Sequence, residues 1–280
     1  MIRFTVLMCV WSGDQPAFLE RAIQSVTAEQ TLPPERVVVV IDGPVSADVE
    51  SVILRQANAH PHMFDILRLK KNGGLGAALR AGMTRCKTEW IARMDSDDVS
   101  EPYRFEEQVA YLESNPGIDV LGGMISEFDC DEHVITGVRE VPLSQARIER
   151  MLPDRNPMNH VTVFMRKDAV ERAGGYLAMP QTEDYYLWAR MLEAGCRLEN
   201  MNRTLVRVRC GNGFLQRRSN KALIEGYAGI ERYLRDVGRI TTAHMARNIV
   251  LHRLLTIVSP SARAALYRAL FRKRAPESAA

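Results

Sequence analysis

The stretch Met94-Asp95-Ser96-Asp97-Asp98 sets three carboxylates almost side by side, directly after the strand-like run Glu89-Trp90-Ile91-Ala92-Arg93. Like charges held this close repel one another, so a fold that keeps them together must compensate them. A hard divalent cation does so, because Mg²⁺ and Mn²⁺ take carboxylate oxygens and bridge to phosphates. Side chains alternate along an extended chain, so Asp95 and Asp97 would face one way and Ser96 the other. Two aspartates so disposed can grip the metal on a diphosphate. A plainer reading stands beside it: acids at strand ends also form solvated turns or caps. Ser100-Glu101-Pro102 reads as a helix start, with Ser100 as its capping residue and Pro102 in the first turn.

Other residues add chemistry at a distance. Asp42 follows the run Val37-Val38-Val39-Val40-Ile41, where a carboxylate can accept from a ring N–H or simply open an Asp-Gly turn. The loop Asn72-Gly73-Gly74-Leu75-Gly76 lets backbone approach a nucleotide at a helix start. It is neither GxGxxG nor a Walker A sequence, which argues against dinucleotide and ATP-type binding. Glu183 and Asp184 pair two acids, either as a general base with its neighbour or as favourable charges at a helix N-terminus. His160 lines an acceptor site, ligates a metal or is structural. Arg217 and Arg218 carry guanidinium forks suited to a diphosphate, of donor or of lipid acceptor.

These residues need a frame. Phe4–Val10 reads as a strand, then a helix starts near Pro16 with Phe18, Ala22, Ile23 and Val26 on one face. The β-branched run at 37–41 marks a strand buried on both faces of a parallel sheet. A helix follows over Ala47–Ala57, a strand over Phe64–Leu69, a helix through Leu79 and Met83, and a strand over Trp90–Met94. This alternation predicts an open, mostly parallel sheet flanked by helices, with ligands at the carboxyl ends of its strands. Asp42 and Asp95-Ser96-Asp97 both fall at such ends. The later chain predicts a helix over Arg104–Glu113, strands over Ile118–Gly122 and Val161–Arg166, a β excursion through Ile135, and a short helix from Asp168. A further helix over Tyr185–Glu193 ends at Gly195.

A chain of 280 residues can bury a substantial core, and a net charge of +3 gives no case for a nucleic-acid binder. Five scattered cysteines, with no CxxC pair and no zinc spacing, read as free thiols in a reducing compartment. The N-terminus reads as a buried strand and not a signal peptide, and no apolar run is long enough to span a membrane. The expected location is cytoplasmic. Between Val237 and Pro276 there is no Asp or Glu but many arginines, with helices expected over Ala243–Val258 and Ser261–Phe271. Such a basic segment either lies on the inner face of the plasma membrane as a peripheral contact or closes the domain as an ordinary solvated helix pair.

Taken in order, Val39-Val40-Ile41-Asp42-Gly43, Asn72-Gly73-Gly74-Leu75-Gly76, Ala92-Arg93-Met94-Asp95-Ser96-Asp97-Asp98, Asn159-His160-Val161-Thr162 and Gln181-Thr182-Glu183-Asp184 resemble the motifs of the family 2 glycosyltransferases. The resemblance spans about 200 residues. It implies the GT-A fold, a Rossmann-like α/β domain, over residues 1–215: a nucleotide-binding half at 1–100 and an acceptor half at 101–215. Residues 216–280 then form a basic helical extension. It implies an inverting enzyme that moves one hexose or N-acetylhexosamine from a UDP-sugar to a glycan or lipid-linked oligosaccharide, as in O-antigen, capsule or exopolysaccharide assembly. By the same resemblance Asp42, Asn72, Gly73, Gly74 and Asp95 bind the donor, with Asp42 on the uracil. Asp97, with Asp95, holds a divalent metal, Mn²⁺ or Mg²⁺. Asp184 is the catalytic base beside Glu183, while His160 and Trp188 belong to the acceptor side. Processive members carry Gln-x-x-Arg-Trp, whereas here Gln216-Arg217-Arg218-Ser219 has no tryptophan, so a single transfer is expected. Two rivals remain: a non-catalytic sugar-nucleotide-binding scaffold, and a sugar-nucleotide pyrophosphorylase, whose basic glycine-rich loop Val10-Trp11-Ser12-Gly13-Asp14 does not supply.

Overall fold

A computed structural model describes residues 1–211 and 221–257. The first part alternates strand and helix: β1 (Phe4–Val10), α1 (Pro16–Val26), β2 (Arg36–Ile41), α2 (Ala47–Ala59), β3 (Phe64–Arg68), α3 (Leu75–Met83) and β4 (Trp90–Met94). The four strands lie in the order β3-β2-β1-β4 and are all parallel. Residues of β1 and β2 alternate between two cores. Val6, Met8, Val37 and Val39 face the apolar stripes of α1 and α2, while Leu7, Val38 and Val40 face α3. This two-sided burial is what the unbroken valine run of β2 encodes. At Gly82 a Cβ would collide with Leu7 and Val40, so α3 lies hard against the sheet.

The chain runs from β1 to β2 and β3 on one side, then returns to β4 on the other. A crevice therefore opens at the carboxyl ends between β1 and β4, the place where such sheets bind ligands. Beyond β4 the sheet becomes mixed. β8 (Phe164–Arg166) runs antiparallel to β4 and to β6 (Val120–Phe128), and β9 (Leu198–Arg209) runs parallel to β6. β5 (Val99–Ser100) closes the far edge against β9, and β7 (Ile135–Arg139) pairs with β6. Helices α4 (Arg104–Ser114), α5 (Gln145–Met151), α6 (Lys167–Arg172) and α7 (Glu183–Glu193) flank this half. They are followed by α8 (Lys221–Asp236) and α9 (Thr242–Ile257).

Several expectations need correction. Ser100 does not cap a helix: the Ser100 amide donates to Ser25 Oγ at 3.0 Å and the Glu101 amide to Leu205 O at 2.9 Å. The first bond ties Ser100 to α1 and the second ties Glu101 to β9, and α4 starts only at Arg104, after Tyr103. Val161 lies in a 3-10 turn (His160–Thr162), which leaves a three-residue strand behind it. β6 runs on past Gly122 to Phe128, and Gly122 is required because a Cβ there would meet the Asn200 side chain. β9 was not legible at all: the register shifts opposite Gly123–Ile125 break its apolar period. In the tail, α9 matches the expected helix near 243–258, α8 was not foreseen, and the segment 261–271 lies outside the described residues.

Candidate active site

The site is built from the ends of the parallel strands. At the end of β2 the Asp42 carboxylate, only 4% exposed, accepts the Gly73 amide at 2.8 Å and the Gly74 amide at 2.9 Å. Asn72 Oδ1 also accepts from the Gly74 amide, at 3.1 Å. Gly74 sits at φ +84° as the residue before α3, a left-handed conformation that favours glycine. Asp42 therefore shapes the glycine loop, using one lone pair of each oxygen, and two acceptor sites remain. At the end of β1, Trp11 is 47% exposed, an aromatic face that motif reading passed over.

At the end of β4 the chain bends at Ser96–Asp97 instead of continuing extended. The alternation survives: Asp95 and Asp97 are half-buried, while Ser96 and Asp98 are buried. β9 braces the bend. The Arg209 amide donates to Asp98 Oδ1 at 2.9 Å, and Arg209 Nε donates to the Asp97 carbonyl at 3.1 Å. Burial first, then the charges of Asp97 and Asp95, push the Asp98 carboxyl well above the usual carboxylate range. Among the described residues no three of His, Cys, Asp and Glu converge as a ready-made cage. A metal of the Mg²⁺ kind needs only one or two carboxylates, its shell being completed by substrate phosphates and water. Asp95 and Asp97 are the half-buried carboxylates at this bend.

Arg93 was missed as a site residue. Its side chain is 2% exposed and ion-pairs with Asp95 at 2.5 Å, while its Nε and Nη1 have no partner. Buried N–H groups left unpaired are costly, so this guanidinium is an expensive feature to keep. Its charge reaches Glu183, Asp184 and His160. A long cationic residue inside a strand otherwise made of Trp, Ile, Ala and Met was the available signal.

The acids of α7 complete the group. A Cβ on Gly76, in the first turn of α3, would sit 3.2 Å from Glu183 Cβ, so the glycine loop and the Glu-Asp pair are neighbours. Burial and then the Asp184 charge raise Glu183 to about 7. Burial also raises Asp184, against the Tyr185 amide and the Asn156 side chain, which donates to Asp184 Oδ2 at 2.7 Å. Asn156 is fixed in turn by Arg139, which donates to its carbonyl at 3.1 Å. Neither residue was foreseen.

One acceptor-side expectation changes. Trp188 is fully buried, packed edge-on to His160 at 5.9 Å between ring centroids. It forms a wall behind the site and offers no surface to an acceptor. His160 is half-buried and bonds through Nε2 to the Tyr176 hydroxyl at 2.8 Å, and burial followed by the Arg93 charge holds it well below its ordinary pKa, hence neutral. Arg217 and Arg218 lie outside the described residues.

A crevice at the switch of a parallel sheet, floored by a glycine loop and lined by carboxylates, is the arrangement of a glycosyltransferase of the GT-A fold. Residues 5–174 match the Glycosyl transferase family 2, and the chain belongs to that family. It is 40% identical to the amylovoran biosynthesis glycosyltransferase AmsE of Erwinia amylovora over 215 residues, covering 77% of this chain and 79% of that protein. It is 29% identical over 97% of both chains to the UDP-Gal:alpha-D-GlcNAc-diphosphoundecaprenol beta-1,3-galactosyltransferase of Escherichia coli. Among solved structures, S. aureus TarS 1-349 in complex with UDP-GlcNAc superposes with a TM-score of 0.65 at 17% identity, over 89% of this chain and 70% of that one. The longer TarS chain is spanned for only 43% of its length. The mannosyltransferase PcManGT of Pyrobaculum calidifontis, in complex with GDP-Man and Mn2+, gives 0.61 at 14% identity, over 96% of this chain and 75% of that one. At these identities the structures speak for the fold alone.

Proposed function

We propose that this glycosyltransferase moves a single hexose or N-acetylhexosamine from a UDP-sugar, with inversion, to a hydroxyl of a growing bacterial glycan carried on a polyprenyl diphosphate. The observation that carries the reading is the meeting of the Asp42-anchored glycine loop, the Asp95–Asp97 bend and the Glu183–Asp184 pair at one crevice. In this reading the uracil lies by Trp11 and uses a remaining lone pair of Asp42, while the diphosphate lies along the Asp95–Asp97 bend. Residues 1–100 act as the donor half, residues 101–215 as the acceptor half and residues 216–280 as a basic extension.

Asp184 takes the proton of the acceptor hydroxyl as that oxygen bonds to the anomeric carbon. The bond from that carbon to the diphosphate oxygen breaks on the opposite face, and UDP leaves. A carboxylate with raised proton affinity suits this step better than an ordinary aspartate. Asn156 aims the carboxylate. A divalent metal, Mn²⁺ or Mg²⁺, held by Asp97 and Asp95, would supply compensation for the charge that develops on the leaving diphosphate.

The Escherichia coli relative is by name a galactosyltransferase onto alpha-D-GlcNAc-diphosphoundecaprenol, which supports the lipid-linked acceptor. No described helix is long and apolar enough to cross a membrane. α9 exposes Val250 and Leu251, which supports a peripheral contact of the basic tail with the inner face of the plasma membrane. Isothermal titration of UDP with and without Mn²⁺, on wild type and Asp97→Ala, tests the donor site. Metal-dependent binding that disappears in the variant is the expected result, and a wild type that never binds UDP overturns the reading.

A further inference from the structure

We infer that the C-terminal helix pair is a brace that positions the base, pressing on both loops that aim Asp184. The inference rests on Asp184 being the base. Two contacts of independent chemistry carry it. α8 crosses the turn Met179–Thr182, which leads directly into Glu183, and does so through glycines. A Cβ on Gly226 would collide with the Pro180 carbonyl and lie 2.5 Å from Thr182 Oγ1, and one on Gly229 would lie 2.5 Å from Met179 Sδ. Helix backbone thus rests on the turn itself, which only side-chain-free positions permit. The turn holds Gln181 at φ +55°, the one non-glycine residue in the left-handed region among those described. Such a conformation persists where its surroundings enforce it, and α8 is that enforcement.

α9 holds the other loop. Asn248, 5% exposed, donates to the Pro153 carbonyl at 3.0 Å and to Glu231 Oε1 of α8 at 2.8 Å. Arg247 Nη2 donates to Asp154 Oδ1 at 2.7 Å. Two residues later Asn156 donates to Asp184. From the α7 side, the Tyr185 hydroxyl donates to the Leu152 carbonyl. The loop 152–156 is therefore pinned between the tail and the residue after the base. What this loop brings to the active site is the Asn156 amide.

Asn248 and Gly226 are positioning residues, since neither touches the crevice. Asn248→Ala removes one of the two hydrogen bonds on the Pro153 carbonyl, leaving that of His244 Nε2 at 3.3 Å, so Asn156 drifts and its hydrogen bond, which favours ionised Asp184, weakens. The groups facing Asp184 are Glu183, Asn156, Arg139, Arg93, Tyr176, the Tyr185 hydroxyl and the Tyr185 amide. Losing the Asn156 contribution raises the proton affinity of the base, so the acid limb of the kcat profile moves to higher pH. The experiment uses the full chain. It measures UDP release from UDP-galactose or UDP-N-acetylglucosamine, whichever the wild type turns over, and UDP binding by titration. The variants are Asn248→Ala, Asn156→Ala, the double variant, Gly226→Ala and Gly238→Ala. Gly238 lies in the turn between α8 and α9 at φ +78° with open space around its Cβ, so its substitution strains the hairpin without pushing either loop.

Asn248→Ala and Gly226→Ala are expected to lower kcat roughly tenfold while UDP affinity stays within about twofold, scales appropriate to misplacing a base but not a binding group. Asn248→Ala and Asn156→Ala should share the upward-shifted acid limb, and the double variant should fall little below either single one. Gly238→Ala should lose thermal stability and keep kcat. If Asn248→Ala melts lower but keeps kcat and its acid limb, the tail is packing only and the brace is overturned. Asp184→Asn separates the two readings: full activity there removes the base on which the brace depends. An inactive Asp184→Asn beside an unaltered Asn248→Ala removes the brace alone.

Discussion

Asp42 and Asp95 on the proposed donor side and Glu183 and Asp184 on the proposed base side are held in opposite ways. Asp42 accepts two backbone amides, and Asp95 is ion-paired with Arg93. These groups are compensated and held by strand ends of the most regular part of the sheet. Glu183 and Asp184 start a helix after an irregular turn, and burial outweighs their hydrogen bonds, so both keep a raised affinity for protons. Groups that bind charge are best fixed and satisfied; a group that must take a proton is best left short of compensation.

That contrast can be broken at several points. The largest expected effect is at the base: Asp184→Asn should lower kcat by about 10²–10⁴-fold, the usual share of a general base, with UDP titration unchanged. Loss of UDP binding in the same variant would erase the distinction between the two sides. Asp97→Ala should do the reverse, weakening metal-dependent UDP binding by at least about 10-fold, as ligand-shell losses do. A variant that binds UDP as tightly as wild type and with the same dependence on Mn²⁺ would remove Asp97 from the metal site.

Arg93→Met tests the seam between the sides. It strips Asp95 of its partner and both α7 acids of a favourable charge, so an unfolding free energy lower by ~1–3 kcal/mol is expected, together with an acid limb of kcat moved to higher pH. Denaturant titration and a pH profile check the two parts separately. The smallest effect concerns Glu183. Its carboxyl titrates near 7 in the folded chain against 4.5 when unexposed to the fold, so folding is favoured by its neutral form. That contribution is whole below about pH 4.5 and is lost as pH rises through about 7. Glu183→Gln should therefore match wild type in melting temperature near pH 5 and exceed it by a few degrees near pH 8. Equal melting curves at both pH values would show that Glu183 is not under burial stress.

Most of the donor side was legible in the sequence because its logic is local. A valine run, an Asp-Gly turn and a glycine-rich helix start each announce themselves within a few residues, and β1–β4 with α1–α3 lie within a residue or two of where the pattern put them. The base side was legible only as the pair Glu183–Asp184. What aims that pair is distant in sequence: Asn156, Arg139 and the helices at 221–257 carry no motif, and their roles exist only once the chain is folded. β9 escaped for the same reason, since half its pattern is dictated by bulged pairing with β6. Trp188 looked like a site residue and proved to be fully buried behind His160, because an aromatic near an acid reads the same on either side of a crevice.

The hold of β9 on the bend after β4 bears on how the molecule is made. The amide that satisfies Asp98 belongs to a residue 111 positions further along. A ribosome that has released only the first hundred residues presents three aspartates with no donor from Arg209, and β5 with no strand to pair with. The earliest part of the sheet can assemble during synthesis, but its ligand-binding edge cannot be finished until the end of β9 has emerged. Such long-range closure is slow and exposes strand edges while it waits. Donor nucleotide should accordingly favour the completed chain over any shorter product of translation, so that a truncated chain is not an active one.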